Sequence, residues 1–185
     1  MFIVDAHQDI AFNTICYGRD YRISALKKRT DENDTPVVTH VGRAMLGLPE
    51  AIIGRVALVF ATLFTEPRGK MPAIGNDAVL YTTPKEAMRI AEKQLDVYKQ
   101  LGDEEPRLRL IHTQADLDAV LATWGDDVPV TERIQGLVIL MENGDPIIEP
   151  RQFEWWYEQG VRIVGPAWRS SQYCGGTGEP GRLTA

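Results

Sequence analysis

The sequence predicts an α/β fold, a parallel sheet covered by helices. Two near-continuous apolar runs, VALVFATLF (56–64) and IQGLVILM (134–141), read as strands buried on both faces. Amphipathic helices lie between and after them. Ionisable residues stand where apolar sequence stops, at His7-Gln8-Asp9 and at Glu142. In parallel α/β folds function gathers at such strand ends.

The chain opens with a short buried strand over residues 2–6, which breaks directly into Asp5, His7 and Asp9 in VDAHQDI. Residues 11–50 are polar and irregular, and the charged segment KKRTDENDT (27–35) reads as a solvated loop. After the strand 56–64 comes a loop over 65–82, marked by Pro67, Gly69, Pro72 and Gly75. Thr83-Pro84-Lys85-Glu86 then starts a helix, with a hydroxyl cap, a proline at the first position and a carboxylate three residues after the cap. Met88, Ala91, Leu95 and Tyr98 form its apolar stripe, and Gly102 suits its end. The apolar run LRLI (108–111) leads to a helix capped by Thr113, whose inner face is Leu117, Val120, Leu121 and Trp124 and whose stop is Gly125. Following the strand 134–141 and Glu142-Asn143-Gly144, a helix from about Pro150 to Glu158 is expected to bury Phe153, Trp156 and Tyr157. Gly160 stops it, and VRIV (161–164) is one more strand. The last twenty residues, with Gly175, Gly176, Gly178, Pro180 and Gly181, read as a loop. There are no internal repeats and no low-complexity tract.

Composition narrows the function. The 185 residues are 44% hydrophobic with a net charge of −6, enough chain for one sizeable core in a single domain over 1–185. The acidic balance argues against a nucleic-acid partner, which needs a basic face. No stretch approaches the roughly 18 apolar residues of a membrane span. The N-terminus shows no basic segment followed by an apolar one, so a cytoplasmic location is expected. Cys16 and Cys174 accordingly read as two free thiols in a reducing compartment.

In an extended segment residues two apart point to one side, so His7 and Asp9 can converge on a single point. Imidazole nitrogen and carboxylate oxygen suit Zn²⁺ or a somewhat harder divalent ion, and Glu142 from a neighbouring strand could add a third ligand or bridge two ions. The pattern alone leaves a second reading open, in which Asp and His near a strand end serve only as loop hydrogen-bonders.

The motifs resemble those of the membrane-dipeptidase (renal dipeptidase) family, peptidase family M19, among the amidohydrolase-like (β/α)8 barrels. VDAHQDI resembles the family's D-G-H-x-D opening, and LVILMENGDPI resembles its strand ending in E-G-G. GVRIVGPAWRSSQYCGGTGEPGRLT resembles the segment from G-V-R-x-(L/V)-x-L-T to a concluding G-L-T. The resemblance implies a TIM-type barrel of which this chain supplies roughly the first half. It further implies a dipeptidase acting on small peptide or amide bonds, with a hydroxide held between two zinc ions. His7 and Asp9 would bind the first ion, and Glu142 would bridge both as the catalytic carboxylate.

Three departures stand out. Asn143-Gly144 replaces the usual G-G, a change a tight turn tolerates. Trp168-Arg169 stands where many members carry a substrate-contacting histidine. There Trp168 packs and Arg169 is either solvated or grips a substrate carboxylate. Finally, the family's two further histidine ligands and acidic proton shuttle lie in a second half. His40 and His112 match neither and read as structural or solvent-facing. The open sheet edge left by half a barrel calls for completion by a further segment, a second polypeptide or a second copy in a homo-oligomer. The alternatives are a non-catalytic remnant or interaction module that keeps the fold, and a mononuclear metal hydrolase.

Overall fold

A computed structural model of the chain describes residues 1–69, 76–177, 179 and 181–184. Pro72, Gly75, Gly178 and Pro180, four of the loop markers, lie outside the described residues. The strands are β1 (Ile3–Gln8), β2 (Val56–Leu63), β3 (Glu66–Pro67), β4 (Leu80–Tyr81), β5 (Leu108–Leu110), β6 (Gln135–Met141) and β7 (Val161–Val164). The helices are α1 (Ile10–Tyr17), α2 (Ala25–Asp31), α3 (Pro36–Val41), α4 (Leu48–Ile53), α5 (Pro84–Glu104), α6 (Gln114–Ala122) and α7 (Phe153–Glu158). Five strands form one parallel sheet in the order β1-β2-β6-β5, with β7 also paired to β6. The α/β class with a parallel sheet is therefore as expected. Among the described residues the sheet is open and closes no barrel.

The β2–β6 pair forms the spine, in unbroken register from Leu58↔Gly136 to Leu63↔Met141. β5 and β7 share the other edge of β6, β5 along Gln135–Leu137 and β7 along Ile139–Met141. Alternation sorts the side chains of the spine. Ala57, Val59, Ala61 and Leu63 of β2, with Leu137, Ile139 and Met141 of β6, are fully buried in one core with Ala91, Leu95 and Tyr98 of α5. On the opposite face Leu58 and Thr62 are buried, whereas Phe60, Val138 and Leu140 are half-buried. Burial on both faces was expected and holds only in part, because among the described residues the sheet does not curl round to cover the second face.

β1 departs further. It runs on through His7 and Gln8, past the expected end at residue 6, and it is an edge strand with β2 on one side only. Most of its side chains, Phe2, Ile3 and Val4 among the preceding and first residues, are exposed rather than buried. An edge has no second neighbour to cover it.

Residues 11–50 hold four short helices, not irregular chain. α1 stops at Gly18, whose φ of 66° permits the left-handed turn that closes the helix end. Ser24 caps α2 by accepting from the Leu26 and Lys27 amides, α3 begins on Pro36, and α4 carries Pro49 as its second residue. These helices are six to eight residues long, too short for periodicity to announce them.

The longer helices follow expectation. Thr83 and Glu86 form the reciprocal cap of α5, and Thr113 and Asp116 that of α6. α5 runs two residues past Gly102 to Glu104, while α6 ends at Ala122, short of Gly125. The loop 65–82 contains the small parallel pair β3–β4, and the last segment contains isolated bridges Ser170↔Gly175 and Gly176↔Glu179. Among the described residues no helix is long and apolar enough to cross a membrane. Cys16 and Cys174 are free thiols.

α7 corrects one expectation. Trp156 is 1% exposed, but Phe153 and Tyr157 are 52% and 55% exposed. The inward face passes through Trp155 and Trp156, whose rings meet edge to face at 4.8 Å, so the helix is rotated one position from the expected stripe. Tyr157 instead stacks under the Arg162 guanidinium at 4.0 Å on the solvent side.

Truncation should separate these roles. Trp156→Ala is expected to cost about 3–5 kcal/mol in denaturant unfolding. Phe153→Ala should stay within about 0.5–1 kcal/mol. Equal losses would place Phe153 back in the core.

Candidate metal centre

The C-terminal ends of β1, β2 and β6 lie side by side and carry the ionisable residues. His7 Nε2 is 3.6 Å from Asp9 Oδ1 and 3.6 Å from Glu142 Oε2. One ligand atom from each of the three lies within 4.8 Å of the others. Donor atoms around a four-coordinate ion at about 2.1 Å stand roughly 3.4 Å apart, so the spacing suits a single divalent ion. Glu142 Oε2 is buried and has no hydrogen-bond partner among the described residues. An orphaned buried carboxylate oxygen beside an imidazole is what a cation would satisfy. The donor set and its spacing fit the metal that the motifs imply.

Each side chain is held there by something specific. Asp9 is the residue before α1, where an aspartate normally accepts from the second or third amide of the helix. Here it makes no such bond. The Ala11 amide, the second of α1, donates instead to the Tyr98 hydroxyl at 3.2 Å. Tyr98 is completely buried on α5 and donates onward to the Thr62 carbonyl at 2.8 Å. With the helix end served by Tyr98, the Asp9 carboxylate turns to the Thr62 hydroxyl, which donates to Oδ1. His7 is oriented from below, its amide donating to Asp5 Oδ1 at 3.1 Å. Thr62 and Tyr98 are the residues that sequence reading missed. The only signal was a lone hydroxyl inside the apolar run VALVFATLF.

Glu142 follows β6, and its amide donates to the Leu63 carbonyl at 3.2 Å. Burial and the nearby Asp9 carboxylate push its pKa up to about 7, while His7 pulls the other way. The turn beyond is tight. A side chain on Gly144 would meet the Pro166 carbonyl at 2.9 Å. Asn143 is accommodated because its amide donates to the Tyr81 hydroxyl at 2.7 Å, and Tyr81 donates to Asp145.

Arg169 is not solvated. It is 5% exposed, with Nη1 3.2 Å from Glu66 Oε1 and its guanidinium 4.6 Å from the Trp168 ring. Trp168 packs as expected, edge to face with Phe64. The imidazoles of His40 and His112 have no part in the cluster: His40 is exposed at the end of α3, and His112 lies between β5 and α6.

Comparison with known proteins places this geometry. No family model and no curated protein matches the chain. Solved structures do. The probable dipeptidase PvdM from Pseudomonas aeruginosa is similar at a TM-score of 0.63 and 15% identity, over 95% of this chain and 37% of that one. Dipeptidase AC, a metallopeptidase of family M19, is similar at 0.60 and 14%, over 95% and 45%. A metallopeptidase from Rhodobacter sphaeroides, liganded with a phosphinate mimic of the dipeptide L-Ala-D-Ala, is similar at 0.59 and 14%, over 91% and 46%. The likeness is one of fold. The second belongs to the family that the sequence motifs resemble, and the chain spans less than half the length of each of the three.

Two substitutions probe the support of the cluster. Thr62→Val removes the Asp9 hydrogen bond without changing shape, and should weaken Zn²⁺ binding about 10–100-fold by calorimetry. Tyr98→Phe should cost about 1–3 kcal/mol of stability and also weaken Zn²⁺, because Asp9 would then be drawn back to the helix end. Unchanged Zn²⁺ affinity in both variants would show that Asp9 needs neither.

Proposed function

We propose that the chain is the metal-binding first half of a (β/α)8-barrel hydrolase that cleaves a small peptide or amide bond, dipeptides being the substrate class. The observation that carries the reading is the convergence of His7, Asp9 and Glu142 at the ends of parallel strands, with Glu142 Oε2 buried and unpartnered. Imidazole and carboxylate donors make Zn²⁺ the proposed ion. A divalent ion bound there supplies Lewis-acid polarisation of the scissile carbonyl.

The chain's own residues then have separable tasks. His7 and Asp9 hold the ion, with Thr62 fixing the direction of the Asp9 carboxylate. Glu142 is the least exposed of the three and would complete the ligand set, and it would be available to a second ion, for which no separate ligand cluster is found among the described residues. Arg169 is the proposed grip for a substrate carboxylate: a guanidinium has five N–H donors, and contact with Glu66 occupies only part of that fork. The half-buried face of Phe60, Val138 and Leu140 and the single-sided edge of β1 support completion by further strands, from a following segment, another chain or a second copy.

A mononuclear hydrolase is the second reading, favoured by the single ligand cluster found among the described residues, whose three atoms would fill most of one coordination sphere. Equilibrium dialysis against Zn²⁺ tests both. One ion per chain is expected, lost in His7→Ala and in Asp9→Ala, and an absence of bound metal would sink both readings. The metal-loaded chain alone is expected to give no turnover on a dipeptide panel. Robust turnover by the monomer that disappears in Glu142→Ala would overturn the need for a second half and leave the mononuclear enzyme.

A further inference from the structure

A cavity of about 220 Å³, lined by none of the three proposed metal ligands, lies between α1, α2 and the segment joining α3 to α4. Its charged lining is entirely basic: Arg19, Lys28 and Arg43, with no aspartate or glutamate. That is notable in a chain of net charge −6. The three cations are not equivalent. Arg19 is neutralised, with Nε and Nη2 each 2.8 Å from a Glu32 carboxylate oxygen. Its remaining donors go to Asn13 Oδ1 and the Gly42 carbonyl.

Lys28 and Arg43 have no such partner. Lys28 is 7% exposed, and its ammonium donates to the Asp20 carbonyl at 2.7 Å, a neutral acceptor. Among the described residues no carboxylate lies within ion-pair distance of it. Burial lowers its pKa and outweighs the more distant Asp20, Glu50 and Glu32 carboxylates, while Arg19 adds to the lowering. Arg43 is exposed at the rim and makes no hydrogen bond or ion pair among the described residues. A buried cation costs several kcal/mol unless a counter-charge reaches it. Lys28, buried, and Arg43, exposed, thus line one cavity with neither in an ion pair among the described residues.

The remaining wall decides which anion. Ile10, Val41 and Leu46 give it an apolar side that a fully polar oxyanion would leave unused. The volume is several times the roughly 30 Å³ of a water molecule. It falls below the ~300–1,000 Å³ of sites for drug-sized ligands. We propose that this cavity binds a small organic carboxylate with a short apolar tail, its carboxylate between Lys28 and Arg43 and its tail against Ile10, Val41 and Leu46. His7, Asp9 and Glu142 do not line the site, and it does not rest on the hydrolase reading.

The test uses the whole 185-residue chain, treated with chelator so that metal binding plays no part. Sodium isovalerate, inorganic phosphate and isoamyl alcohol are titrated separately by NMR. Isovalerate should bind saturably, phosphate at least tenfold more weakly, and the uncharged alcohol not at all. Arg43→Gln, at an exposed position that leaves the fold intact, should weaken isovalerate about tenfold or more, and Lys28→Met should abolish binding. Met45→Glu, at the exposed lip, sets a carboxylate beside the cations and should also block it. Absence of saturable isovalerate binding, or binding indifferent to Arg43→Gln and Met45→Glu, overturns the site. Phosphate binding as tight as isovalerate overturns the apolar-tail assignment.

Discussion

The register of β2 against β6 is the constraint on which the rest depends. Six consecutive pairs lock Leu58–Leu63 to Gly136–Met141. A slip of one residue would exchange the two faces of either strand, turning Ala57, Val59 and Ala61 away from the helices. It would also carry Thr62 and Glu142 out of reach of Asp9 and His7. Packing and chemistry are therefore decided together: the small side chains that let α5 lie close on β2 also set the height at which Thr62 emerges. β1 contributes through a single edge, and its ladder to β2 carries register shifts before His7. The backbone at His7 is tied instead by its amide, which donates to the Asp5 carboxylate.

Tyr98 resolves a conflict that the sequence alone would not reveal. Position 9 is both the residue before a helix and a proposed metal ligand, and its carboxylate is turned to Thr62 rather than to the helix end. A phenol on a helix 89 residues away takes over the first duty. The cost is a hydroxyl buried in the middle of the core, tolerable because it both accepts from Ala11 and donates to Thr62.

Legibility in the sequence followed length and exposure. β2, β6 and the caps at Thr83 and Thr113 were readable because each is a strong local signal: an unbroken apolar run, or a hydroxyl and carboxylate three apart. His7, Asp9 and Glu142 were readable because polar groups interrupted such runs. The helices of 11–50 were not, since six residues span under two turns and leave no stripe to count. The exposure of β1 could not be read because it depends on which strand fails to arrive beside it. Phe153 was misplaced by a phase error of one residue, which two adjacent tryptophans make easy. Arg169 looked like a surface residue because its partner Glu66 lies about a hundred positions earlier and no local pattern links them.

The sharing of one edge of β6 by β5 and β7 has a bearing on how the chain reaches this state. Among the described residues β6 is the only strand that pairs with β2, β5 and β7, and it follows more than two thirds of the 185 residues. Until it emerges, β1 and β2 can pair only with each other, and the apolar side chains of β2 have one neighbour strand instead of two. High contact order of this kind slows folding, because the loops must close before the contacts that reward closure exist. The sheet therefore assembles late and nearly all at once around β6. During synthesis the first hundred-odd residues carry an exposed apolar strand in need of shielding from other chains.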